Sequence, residues 1–421
     1  MKSKLKLLLV AIALFALPLS TQPYVSASTV ETAQPKIYAK AAIAVDANTG
    51  QILYQKNANQ PLAIASISKL MTIYIVHQQI SQGKLSWNDH VKITPAVAKL
   101  STASGLTNVP LKSGHSYSVR ALVNATLVAS ANAAAIALGQ EVSGSSSQFA
   151  AKMNQTAKKL GITDAKFYNA SGLTNKLTGG LALKGVNANA ENELSASDVA
   201  LLASRLLKRF PKVTQITSQA QSSFYGTAIS GHNELLGNKQ IARGAVVDGL
   251  KTGTSDKAGA CFVGSATRQH HRIITVVLGT RNDSATDPAR FIQTAKLMKF
   301  VFTKQRPIIV SKNSQVKGVH LAKVPDGKQT SVDVVNQKKT WVWAPKAISR
   351  KQITAKYLHH PKKIAAPAKK NTSAGTARLL ANGQAPKYLA TYHGTIKLFT
   401  NKLVKKANPF VLLWRAILRL F

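Results

Sequence analysis

Three apolar runs follow one another closely near the middle of this chain. Val246-Val247-Asp248-Gly249-Leu250-Lys251-Thr252 begins a strand, and Cys261 to Thr267 and Ile273 to Thr280 read as its neighbours. Pro288 to Phe302 then reads as a helix that closes the unit. Far upstream, Lys40 to Val45 and Gln51 to Lys56 are a further apolar pair, parted by the turn residues Asp46-Ala47-Asn48-Thr49-Gly50, and predict a hairpin. Helices fill the space between. One carries Ser66 to about Ser81 after Pro61. A second long one is expected over Ser118 to Leu138, apolar all round and therefore buried. Phe149 to Leu160 is amphipathic with Gly161 as its C-cap, and Ser195 to Leu207 has Ser195 as N-cap with Asp198 three residues on.

At 421 residues the chain holds two or three folded units. Composition shifts near Lys304 to Pro307. Beyond it, short alternating runs such as Gln329 to Val335 and Thr340 to Ala344 predict a small β domain, and Lys362 to Thr376, rich in Lys, Ala and Pro, reads as a loop or poorly ordered insertion. Charge is strongly one-sided, with 56 Lys and Arg against 15 Asp and Glu, and Val334 to Phe421 holds no acidic residue. Such a chain is drawn to polyanions: nucleic acid, anionic lipid or anionic cell-wall polymers.

The N-terminus chooses among these. Lys2, Lys4 and Lys6 precede an apolar run from Leu7 to Leu19, and Val25-Ser26-Ala27 offers a small-x-small cleavage site, the pattern of a secretory signal peptide over residues 1–27. Export disfavours nucleic acid and leaves the outer face of the cytoplasmic membrane and the cell wall. The single cysteine, Cys261, permits no intramolecular disulfide and reads as strand packing. No Cys/His cluster has metal-ligand spacing, so neither metal nor cofactor is expected. The last residues, Pro409 to Phe421, reach roughly 18 Å as a helix, too short for a hydrocarbon core of about 30 Å. Arg415 and Arg419 share one face, away from Leu413, Trp414, Ile417 and Phe421. An amphipathic anchor lying on an anionic membrane surface is the expectation, with a helix docked on the β domain as its alternative.

Chemistry enters with Ser66-Ile67-Ser68-Lys69. A serine hydroxyl is a weak nucleophile until a base takes its proton, and a desolvated lysine three residues on, sharing a helical face, can be that base. The spacing alone decides nothing, because Ser3, Ser81 and Ser314 repeat it. Two later motifs give it company: Ser130-Ala131-Asn132 and Lys251-Thr252-Gly253. In that order the three form the pattern of penicillin-recognising serine enzymes.

The flanks Pro61 to Ala65, Val247 to Thr254, Asp256-Lys257-Ala258-Gly259, Met153-Asn154, Phe167 to Leu173 and Asn233-Glu234-Leu235-Leu236 sharpen this. Over roughly Ala41 to Phe302 the chain resembles serine D-alanyl-D-alanine carboxypeptidases, the low-molecular-mass penicillin-binding proteins. The resemblance implies an α/β (α+β) fold, β-lactamase/DD-peptidase-like, with a mainly antiparallel sheet flanked by helices. The chain would divide into a signal peptide (1–27), a catalytic domain (28–304), a β domain (305–394) and an amphipathic membrane anchor (395–421).

The resemblance further implies that Ser66 forms an acyl ester at the bond between two D-alanines of a peptidoglycan stem peptide, releasing D-alanine, and that it binds β-lactam antibiotics covalently. Lys69 would accept the Ser66 proton, helped by the nearby charge of Lys251. Ser130 would relay a proton to the leaving amine, and Asn132 would hold the substrate amide. Lys251, Thr252 and Thr254 would meet the substrate carboxylate, the N–H groups of Ser66 and Thr254 would form the oxyanion hole, and Gly253 would admit the substrate backbone. Arg290 is the expected carboxylate-binding arginine, with Arg281 as the alternative. Ala133 departs from the pattern, which usually has an acidic residue there. Two other activities use the same trio. A DD-transpeptidase would differ only in its acceptor. A β-lactamase would need a water-activating carboxylate, for which Glu191-Asn192-Glu193-Leu194 is the candidate.

Overall fold

The computed structural model describes residues 33–237, 241–284, 286–359 and 363–418. The expected signal peptide lies outside the described residues, as do Arg419 and Phe421.

The expected hairpin forms. Strands β1 (Ala41–Asp46) and β2 (Ile52–Lys56) pair antiparallel across the Ala47–Gly50 turn. Helix α1 (Lys69–Ser81) follows, then α2 (Val119–Leu127), α3 (Asn132–Ser143), α4 (Ser146–Leu160) and α5 (Ala196–Arg209). Strands β3 (Val246–Ser255), β4 (Gly259–Arg268) and β5 (His271–Thr280) come next, and α6 (Ala289–Lys304) closes the unit. The five strands form one antiparallel sheet in the order β2-β1-β5-β4-β3, so the β3–β5 meander is completed by the N-terminal hairpin. Both faces are covered. Ile43, Val45, Cys261, Val263, Ile274 and Val276 pack with the helical core around α1 and α3. Ala42, Ala44, Phe262, Ile273 and Val277 point the other way, onto Leu297, Met298 and Val301 of α6. Side chains alternate across a strand, so a sheet buried on both faces reads as an unbroken apolar run. Cys261 is buried, and desolvation pushes its thiol up to about 11.

The single helix expected over Ser118 to Leu138 is two helices. The break falls at Val128–Ala131, where Ser130 adopts φ +58°. No Gly or Pro marks it. The physical reason lies in the partners of the next amides. Asn132 N donates to the Thr107 carbonyl (3.0 Å) and Ala133 N to Asn108 Oδ1 (2.8 Å), so a neighbouring loop caps α3 in place of the preceding turn. A left-handed non-glycine residue costs about 1–3 kcal/mol and persists only where its surroundings fix it.

A second domain follows: β6 (Gln305–Val310), β7 (Leu321–Lys323), β8 (Ser331–Asn336), β9 (Thr340–Pro345), β10 (Ile353–Tyr357), β11 (Ser373–Ala381) and β12 (Thr395–Thr400). Five of these form a sheet in the order β7-β8-β12-β11-β10, and β6 pairs with β9. Two expectations change here. The stretch 362–376 is not wholly a loop, since Ser373 to Thr376 begin β11 and Asn371 N donates to the Thr400 carbonyl. The anchor expected over 395–421 starts too early. Ile396, Leu398 and Thr400 alternate inward, which makes Thr395–Thr400 an inner strand of the sheet. Among the described residues at that end, only α7 (Pro409–Ile417) is helical.

The two domains share more than a linker. Trp341 and Trp343 both donate their indole N–H to Asp46 Oδ2, at 2.8 and 2.7 Å, while Asp46 Oδ1 accepts from Asn48 N, Thr49 N and Thr49 Oγ1. Five donors offset the several kcal/mol that burying a lone carboxylate costs. The Gln51 side-chain amide exchanges two hydrogen bonds with the Trp343 backbone, and Lys387 and Leu389 pair with Gly50 and Ile52. The second domain thereby covers the open edge at β2, which would otherwise offer unpaired amides.

Candidate active site

Ser66 sits in a single 3₁₀ turn, Ala65–Ser68, that runs into α1. The turn is stapled by Ser68 Oγ, which donates to the Ala65 carbonyl (2.6 Å). Lys69, fully buried, is the first residue of α1. Its Nζ lies 2.7 Å from Ser66 Oγ, 2.8 Å from Asn132 Oδ1 and 2.9 Å from the Ser171 carbonyl oxygen. The last two atoms can only accept. A neutral amine donates its two hydrogens to them and turns its lone pair to the Ser66 hydroxyl. Burial holds the Lys69 pKa well below the usual lysine range, and the charge of Lys251 lowers it further. The charge repulsion expected from the sequence is therefore present but second to desolvation.

The Phe167–Leu173 flank supplies a group that no residue type announces, the Ser171 carbonyl. It belongs to the Asn169–Leu173 loop, where Asn169 Oδ1 accepts from Ser171 N, Ser171 Oγ and Gly172 N. Gly172 has φ +86°, and a Cβ there would fall 1.9 Å from the Ala65 carbonyl oxygen. Only glycine lets this loop reach beneath the Ser66 turn.

Ser130, Thr252, Gly253, Thr254 and Arg290 line one cavity of about 420 Å³ together with Ser66. The left-handed backbone at the α2–α3 break carries Ser130 to this wall, and α3 begins at Asn132, two residues later. Asn132, expected to hold the substrate amide, also meets Lys69 within the protein. Its Oδ1 faces Lys69 and its Nδ2 donates to the Thr107 carbonyl (2.9 Å), so it orients the lysine and has one Nδ2 hydrogen left for a substrate. Ala133 is buried, and its backbone amide is capped by Asn108 Oδ1.

Strand β3 supplies the opposite wall. Lys251 is buried with Nζ 3.1 Å from the Thr252 carbonyl, and burial plus the neighbouring Arg290 guanidinium bring its pKa down to about 7. Gly253 has a reason beyond substrate approach: a Cβ there would lie 2.7 Å from the Ile64 carbonyl oxygen. Its bare backbone lets β3 press against the Ser66 turn. The two arginines separate. Arg290 Nη1 donates to Thr254 Oγ1 (2.7 Å) and to the Gly253 carbonyl (3.2 Å) at the cavity wall. Arg281 is engaged with Asp283 and Asp287, both at 3.0 Å. Glu234, within the Asn233–Leu236 flank, also lines the cavity, as do Thr107, His232 and Asp287, which no motif announces. The acidic stretch considered for a β-lactamase lies elsewhere. Glu191 accepts from Ser255 Oγ (2.7 Å), and Glu193 pairs with Lys166 (3.1 Å) and Lys257 (2.7 Å). Neither lines the cavity.

Residues 28–282 match the model of the D-alanyl-D-alanine carboxypeptidase family, and residues 305–406 match the C-terminal domain of penicillin-binding protein 5. The D-alanyl-D-alanine carboxypeptidase DacD of Escherichia coli is 30% identical, over 88% of this chain and 90% of its own. DacF of Bacillus subtilis, also named a D-alanyl-D-alanine carboxypeptidase, is 28% identical over 82% of each chain. A peptidoglycan synthesis regulatory factor (PBP3) from Streptococcus pneumoniae superposes with a TM-score of 0.75 at 35% identity, covering 88% of this chain and 100% of that one.

Proposed function

This chain belongs to the D-alanyl-D-alanine carboxypeptidase family and is a serine-type hydrolase of that class, and from that premise we propose how its residues divide the work. Neutral Lys69 takes the Ser66 proton as Ser66 Oγ attacks the carbonyl between the two terminal D-alanines. The tetrahedral oxyanion is met by the backbone N–H groups of Ser66 and Thr254, each donor contributing about 3 kcal/mol in sites of this kind. Ser130 passes the proton to the departing D-alanine amine, leaving the acyl ester on Ser66. Water, deprotonated by Lys69, then cleaves the ester and frees the shortened stem peptide. Thr252, Thr254 and Arg290 hold the terminal carboxylate, with Lys251 adding positive charge behind them, and Asn132 fixes the lysine.

One observation carries this reading: the Lys69 amine lies 2.7 Å from Ser66 Oγ while its other two neighbours can only accept hydrogen bonds. A peptide ending in D-Ala-D-Ala, incubated with the protein, is expected to release free D-alanine. A cross-linked product without net hydrolysis would assign a transpeptidase instead.

The peptidoglycan substrate lies outside the cytoplasm, and residues 1–27 are the proposed export signal. We further infer that α7 rests on an anionic membrane surface. Phe410 is 83% and Trp414 62% exposed, whereas Arg415 turns inward and donates to the Pro325 and Gly327 carbonyls (3.1 and 2.8 Å). The helix is thus tied to the β domain by its polar side with its apolar side open. No helix among the described residues is long and apolar enough to cross a membrane. Removing residues 409–421 is expected to move the protein from the membrane to the soluble fraction. Unchanged fractionation would overturn the anchor. Anionic cell-wall polymers are the second partner that the basic β domain suits.

A further inference from the structure

Residues 305–421 hold 23 Lys and Arg and only two acidic residues, Asp326 and Asp333. Among the described residues, all five ion pairs lie in the catalytic domain and none in the β domain. Unpaired charge of one sign destabilises a compact domain by self-repulsion, so this excess does nothing for folding. It does displace the counterions condensed on a polyanion, and their release favours binding.

The charge has a shaped feature within it. A cleft of about 350 Å³ opens where β6 ends and β10 begins. Its apolar lining is the buried Val316 and Ile353 with the exposed Ile309, and its cationic lining is Lys317, Arg350 and Lys351. All three cations are exposed. The cleft thus combines apolar with cationic side chains. A bilayer surface is flat at this scale and meets the protein through α7, which is tied to the Pro325–Gly327 loop beyond the other end of β7 from Lys317. A ligand for the cleft should therefore be a slender chain in which anionic groups alternate with short carbon units.

We propose that this cleft binds a linear phosphodiester polymer, with Lys317, Arg350 and Lys351 on successive phosphates and the carbon units over Ile309 and Ile353. The proposal rests on the exported location and makes one of the polymer partners specific. It would hold the catalytic domain close to wall-attached polymer without touching the active site.

The test uses the full chain and a fluorescent synthetic glycerol-phosphate oligomer, with affinity measured across salt concentrations. Each phosphate contact contributes a slope of roughly 0.7–0.9 in log affinity against log salt, so the combined Lys317→Gln, Arg350→Gln, Lys351→Gln variant should flatten the slope by about two to three. A control variant, Lys328→Gln with Lys402→Gln and Lys405→Gln, removes the same charge near α7 and should lose less than half as much slope. Equal losses in the two variants, or no loss in the first, would overturn the cleft. Binding to phosphatidylglycerol vesicles is measured in parallel, and a cleft variant that loses vesicles while keeping the oligomer would assign the site to the membrane and defeat the proposal. D-Alanine release from a soluble peptide is read on the same samples and should be equal in all. Its absence in the unaltered protein would refute the hydrolase mechanism and leave the cleft result standing.

Discussion

Ser66→Ala is expected to abolish covalent labelling by a fluorescent penicillin and to lower D-alanine release on the order of 10⁶-fold, the loss seen when a serine hydrolase loses its nucleophile. The change removes one oxygen whose neighbour within the protein is Lys69 Nζ, at 2.7 Å. The turn itself is held by Ser68 Oγ on the Ala65 carbonyl and by β3 packed against Ile64 and Ile67, none of which involves the Ser66 side chain. The variant should therefore fold as the parent does, with an unchanged thermal midpoint, so that lost labelling reports chemistry. Labelling that survives would move the nucleophile elsewhere, with Ser130, on the same cavity wall, as the next to test.

Lys69→Arg is expected to lower activity by about 10²–10⁴-fold, although it preserves a cationic side chain. A guanidinium is not deprotonated in a protein, so it cannot accept the Ser66 proton. The pH profile distinguishes this from a packing defect. In the parent protein, activity needs neutral Lys69 and should rise with pH through that residue's lowered pKa. Lys251 loses its charge as pH rises through about 7 and with it part of the attraction for the substrate carboxylate, an opposing dependence. The expected profile of kcat/KM is bell-shaped, and the arginine variant should lose the acid limb. A variant that keeps the acid limb would assign it to another group.

Stability should follow the same lysines in a simpler way. The folded state holds the Lys251 proton less tightly than the unfolded chain does. The unfolded chain thus binds more protons between about 7 and the ordinary value of 10.5, and this contribution to stability grows as pH rises across that window. Burying two amines that each hold a proton less tightly than in water is a standing cost at neutral pH. That cost is borne at the one place where a neutral amine beside a serine is useful.

Much of this site is legible in the order of residues alone. Ser66 and Lys69 are three residues apart on one helical face, a local relation that spacing reports directly. The hairpin at Asp46–Gly50 and the strands around Cys261 are legible because turn residues and apolar runs act over a few positions. The α2–α3 break is not, because residues 128–131 contain neither Gly nor Pro and the capping groups come from Thr107 and Asn108, more than twenty residues upstream. The Ser171 carbonyl is invisible in sequence for a different reason: a backbone oxygen has no residue type, and only the path of the Asn169–Leu173 loop aims it. Arg281 and Arg290 are equivalent as letters, and it is the engagement of the first with Asp283 and Asp287 that separates them. The start of the anchor is misjudged from sequence because the alternation of Ile396 and Leu398 is short, and the sheet it enters is assembled from distant strands.

The order of residues alone carries the Ser66–Lys69 pair, its two ordered partner motifs, the family and the one-sided charge. These depend on residue identity and short spacing. Tertiary structure alone decided the state of Lys69. Its low proton affinity comes first from burial beneath the Ser66 turn and then from the charge of Lys251, while the acceptors at Asn132 and Ser171 orient the amine. Desolvation and the direction of a lone pair are properties of surroundings, and those surroundings are brought together from segments up to nearly two hundred residues apart.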